Sequence, residues 1–68
     1  MIKTIHNTEN AQMIQYTNGT FKVIYKQFFG DDQYGMEFAN MADAGDMFNM
    51  LNMAGVTAQE LKDLGFTI

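Results

Sequence analysis

The run Tyr16-Thr17-Asn18-Gly19-Thr20-Phe21 constrains this chain more than any other. Asn-Gly supplies the two positive-φ positions of a type I′ turn, whose twist matches that of two antiparallel strands. A hairpin closed by that two-residue loop pairs Tyr16 with Phe21, Ile14 with Val23 and Gln12 with Tyr25. Strand side chains alternate between faces, so Ile14, Tyr16, Phe21, Val23 and Tyr25 share one face, while Met13, Gln15, Lys22, Ile24 and Lys26 share the other. The first face is expected to be core.

A second turn is expected at Gly30-Asp31-Asp32-Gln33, where a glycine and two side chains that bond their own backbone interrupt two β-rich runs. A four-residue loop there puts Phe29 opposite Tyr34 and Tyr25 opposite Phe38, which carries the same core face into a third strand. Residues 2–6, with their β-branched side chains, are expected to add an edge strand, with Asn7-Thr8-Glu9-Asn10 as its turn. After Phe38 the apolar period changes from 2 to about 3.6. Asn40 is placed to cap a helix with Asp43 at N3, and Ala44, Met47, Phe48, Leu51 and Ala54 form its apolar stripe. Gly55 is expected to end it. Thr57-Ala58-Gln59-Glu60 is a capping box, with Val56 and Leu61 as a hydrophobic staple, and starts a second helix over residues 58–64 that Gly65 terminates. Phe66 and Ile68 are expected to fold back onto the core. The fold class is therefore α+β: a single domain over residues 1–68, with a three- to four-stranded antiparallel meander packed on one face by two C-terminal helices.

Composition removes whole classes of chemistry. The 68 residues include no cysteine, proline, tryptophan, serine or arginine. A disulfide scaffold, a zinc ribbon and a CxxC redox pair are excluded, and so are a serine hydrolase and a phosphate loop ending in Lys-Ser. Eight acidic residues against four lysines leave a net charge of -4, the wrong sign for a protein that neutralises phosphates, so no direct nucleic-acid partner is expected. Lys22 and Lys26 fall on the face opposite the tyrosines, which breaks up any base-stacking platform. No apolar run reaches the roughly 18 residues of a membrane span, and the N-terminal residues lack a signal-peptide core. A cytoplasmic location and no membrane partner are the expectation.

His6 is the only imidazole and so the only ready-made general base, but no serine or cysteine exists for it to activate. It is expected on an edge strand facing water. Asp31, Asp32 and Glu37 lack the ligand spacing of an EF-hand loop. No enzyme activity, metal or cofactor is expected. Gly45, inside the first helix, implies either a close backbone approach or a weakened helix, since glycine costs about 1 kcal/mol there relative to alanine.

Two surfaces stand out as contact candidates. Four of the seven methionines, Met41, Met47, Met50 and Met53, lie in or beside the first helix. At about 100° per residue, Met50 and Met53 point away from the core stripe, with Met50 beside Asp43 and Asp46. Adaptable thioethers bordered by acids suit a protein partner with a basic surface. The outer sheet face, with Met13, Ile24 and Phe28, is the alternative, a patch through which the chain would form a homodimer or a structural assembly.

In size, charge and α+β format the chain resembles the small acidic proteins with which phages and mobile elements block host machinery, anti-CRISPR proteins among them. The likeness lies in format and not in a motif. It implies a non-enzymatic inhibitor or regulator that occludes a surface of a larger, nucleic-acid-binding partner. Asp31, Asp32, Asp43 and Asp46 would then compete for that basic surface, together with Met50 and Met53.

Overall fold

The computed structural model describes residues 2–27, 30–53 and 56–68. Strands β1 (Lys3–Asn7), β2 (Ala11–Gln15), β3 (Phe21–Tyr25) and β4 (Gly35–Phe38) form one antiparallel sheet in the order β1-β2-β3-β4. Helices α1 (Met41–Met53) and α2 (Ala58–Leu64) follow and cover one face, giving the expected two-layer α+β arrangement.

The central hairpin forms at the expected place but one residue out of the expected register. Gln15 pairs with Phe21, Met13 with Val23 and Ala11 with Tyr25. The turn sets this register. The Tyr16 N–H donates to the Thr20 carbonyl at 2.9 Å and the Gly19 N–H to the Tyr16 carbonyl at 3.0 Å, so the loop is Thr17-Asn18-Gly19. Only Gly19 takes positive φ, at 89°. Asn18 instead uses its Oδ1 to accept from the Thr20 N–H at 3.1 Å and the Thr20 hydroxyl at 2.7 Å. A three-residue loop with glycine in the left-handed position is the next commonest hairpin after the two-residue forms.

A one-residue slip exchanges the two faces of a strand. Ala11 and Met13 are therefore core residues, 0% and 1% exposed, while Ile14 and Tyr16 leave the core face and are half-buried. The expectation that Met13 belongs to an outer self-association patch is corrected: it lies beneath the helices. The face of β3 is as expected, with Phe21, Val23 and Tyr25 buried.

Between β3 and β4 the register also differs, but by an even number. Phe21, not Tyr25, lies opposite Phe38, and Val23 lies opposite Met36. The Tyr25 N–H reaches the Tyr34 carbonyl at 2.9 Å, so Tyr34 takes the position opposite Tyr25. The shift of four leaves every side chain on its expected face. The expected pairing of Phe29 with Tyr34 falls outside the described residues, as does Phe28. At Gly35 the Lys22 stem lies across the bare backbone, where an added Cβ would meet the lysine Cε at 2.7 Å and the flexible side chain would have to move.

On β1, Thr4 pairs with Ile14 and His6 with Met13, with an irregularity between them. It turns His6 to the helix side, beside the partly buried Ile5. α1 starts as expected: the Asn40 Oδ1 accepts from the Asp43 N–H at 2.9 Å, and the Asn40 Nδ2 donates to the Asp43 Oδ2 at 3.1 Å. Ala44, Phe48 and Leu51 are buried, whereas Ala54 and Gly55 lie outside the described residues. The Thr57–Glu60 capping box is complete, and Gly65 closes α2 in the left-handed conformation at φ 107°. Phe66 returns to the core, but Ile68, expected there too, is 77% exposed. Thr67 is the cause. Its N–H and carbonyl pair with Gly35 at 3.0 and 2.8 Å, which lays the tail along the outer edge of β4 and carries the last residue past the core.

Candidate functional site

α1 lies mainly over β2 and β3 and covers β4 less. The apolar side chains that β4 sends toward the helix layer, Met36 and Phe38, are consequently only half-buried. Between them and one flank of α1 opens a groove of about 450 Å³, lined by Met36, Phe38, Asp43, Asp46, Met47 and Met50. On α1 the lining residues 43, 46, 47 and 50 are spaced i, i+3, i+4 and i+7, one continuous flank over two turns. One wall is thus a helix flank and the other a sheet edge.

Four of the six lining side chains are apolar and two carry carboxylates. The Asp43 carboxylate accepts from Asn40, and Asp46 has no hydrogen-bond or ion-pair partner among the described residues. No lysine among the described residues reaches either carboxylate. Asp43 stands in the first turn of α1, where the positive end of the helix dipole favours negative charge, and Asp46 lies in the turn that follows.

The groove brings together three of the six residues expected at a partner site: Asp43, Asp46 and Met50. Met53 is 85% exposed but does not line it. Asp31 and Asp32 sit in the turn before β4, the first exposed and the second half-buried, and are not part of the lining either. Met36, Phe38 and Met47 are functional candidates that periodicity assigned to the core. The signal that would have marked them is the sideways position of α1 on the sheet, which no spacing in the chain encodes.

On the outer sheet face, Ile24 is half-buried, Met13 is absent because it is core, and Phe28 lies outside the described residues. His6 is exposed, but it does not simply face water: its ring lies 5.4 Å from that of Phe48 at a tilt of 32°. It has no carboxylate to orient it among the described residues. No group of three or more metal-ligating side chains occurs among the described residues, and no helix among them is long and apolar enough to cross a membrane. Comparison of the chain with protein-family models, with curated proteins and with solved structures gave no match.

Proposed function

We propose that this chain is a small non-enzymatic regulator that binds a larger protein through the Met-Asp groove and occludes a basic surface on it. An inhibitor of host machinery, of the kind carried by phages and mobile elements, is the role that fits its format. The observation that supports this is one surface on which four half-exposed or exposed apolar side chains, three of them methionine, adjoin two carboxylates that no lysine among the described residues neutralises. Methionine fills such a role well because its unbranched, polarisable chain adapts to different contours. Unneutralised acids beside an apolar patch favour encounter with basic partners and disfavour acidic ones.

The groove and the remaining methionine surface can be told apart. Immobilised wild-type protein, the Met50→Glu variant and the Met53→Glu variant are each used to capture partners from a host extract. Bound proteins are compared by mass spectrometry, and the amide NMR spectrum of each variant checks its fold. The expected result is a partner held by wild type and by Met53→Glu and lost from folded Met50→Glu. Equal capture by all three would overturn the groove as the binding surface.

A further inference from the structure

The groove is polarised along its length, and this points to the chemistry of its occupant. Phe38 ends β4, Asn40 caps α1, and Asp43 is hydrogen-bonded to that cap, so the aromatic ring and Asp43 belong to the same end of the groove, with Asp46 nearly one turn further along α1. Met47 lies level with Asp46, and Met50 continues the flank one turn beyond it along α1. We infer that the groove takes a segment of another protein in which an arginine stands beside large aliphatic side chains, the guanidinium lying between Phe38 and the Asp43–Asp46 pair. This rests on the proposal that the groove is the partner-binding surface.

Arginine fits this end better than lysine does. A planar guanidinium can lie against an aromatic face while its N–H groups reach carboxylates to the side, whereas an ammonium is a compact, strongly hydrated point charge. A second copy of this chain cannot be the occupant in this mode, because the chain contains no arginine. The neighbouring aliphatic side chains would displace water from the thioether end, and a space of about 450 Å³ lies within the range of ligand pockets, about 300–1,000 Å³.

Methionine methyl groups report on this directly. The protein is labelled with ¹³C at the methionine methyls and titrated to millimolar concentration with four blocked helical peptides. Each carries two leucines and one variable residue on one face; that residue is arginine, lysine, citrulline or glutamate. The expected result is that the arginine peptide shifts Met36, Met47 and Met50 more than Met41 and Met53. It should bind about tenfold more tightly than the neutral citrulline peptide, the effect of one charge-assisted contact. The lysine peptide falls between these two, and glutamate binds least. Asp46→Asn, checked for a wild-type-like amide spectrum, should bring the arginine peptide down to the citrulline level. Equal binding of the arginine and citrulline peptides, an unchanged affinity in Asp46→Asn, or no shift of the groove methyls would overturn the inference. A captured partner that is lost only from Met50→Glu would still uphold the groove itself, so the two failures are distinguishable.

Discussion

The register of the central hairpin makes the sharpest prediction, because Met13 and Ile14 are neighbours in the chain and belong to opposite faces. Replacing each with threonine holds strand propensity high, since threonine is itself β-branched. Met13 is 1% exposed. Its loss removes a fully buried side chain and leaves a partial cavity, a change that costs about 2–5 kcal/mol when the replacement is alanine. The introduced hydroxyl adds to this where it finds no partner, by about 1–3 kcal/mol. A core of this size without disulfide or metal supplies only about 3–5 kcal/mol in total, so Met13→Thr is expected to be largely unfolded at 25 °C. Ile14 is half-buried on the uncovered face opposite Lys22, and Ile14→Thr should cost about 1 kcal/mol. Urea titration followed by far-UV circular dichroism measures both. Met13→Leu, which nearly conserves volume, should keep the fold with a loss below about 1.5 kcal/mol. The register would be refuted if Ile14→Thr proved more damaging than Met13→Thr, the outcome that a two-residue Asn-Gly loop requires.

Gly45 has nothing within 4 Å of the position a Cβ would take, so Gly45→Ala should gain about 0.5–1 kcal/mol and raise the melting temperature by several degrees in differential scanning calorimetry. Thr57→Ala removes the cap of α2 and should lose about 1 kcal/mol in a urea titration. Gly19→Ala and Gly65→Ala both force alanine into positive φ, at about 1–2 kcal/mol each, but only Gly65 has a neighbour, the Met36 Cε at 3.3 Å from the added Cβ. Methionine-methyl NMR should therefore show Met36 displaced in Gly65→Ala and unmoved in Gly19→Ala.

What could be read from the chain is what local chemistry decides alone. Asn40 and Asp43, Thr57 and Glu60, and Gly65 each form the cap their spacing implies, because a cap joins residues no more than four or five apart. The core face of β3 was legible too, since its own alternation of Phe21, Val23 and Tyr25 with Lys22 and Ile24 decides it whichever register its neighbours take. The face of β2 was not, because Asn18 can serve a turn in two ways. It can take positive φ in a two-residue loop, or it can hold Thr20 with its side chain in a three-residue one. The two differ by one residue in register and by a whole face in outcome, and the apolar pattern of β2 does not choose strongly between them. Met13 or Ile14 could each fill the core.

The groove was half legible for a different reason. Helical periodicity determines how α1 is rotated about its own axis, and so it separates Ala44, Phe48 and Leu51 from the flank of Asp43, Asp46 and Met50. It says nothing about where the axis lies across the sheet. That depends on which strands offer the deepest contact, and in the observed register β2 offers the fully buried Ala11 and Met13. With those two residues beneath it, α1 settles over β2 and β3 and leaves Met36 and Phe38 of β4 half-covered. The register that places Met13 in the core thus goes together with a half-covered surface on the helix side. It joins two methionines and an aromatic ring that read as core to two aspartates and a methionine that read as surface.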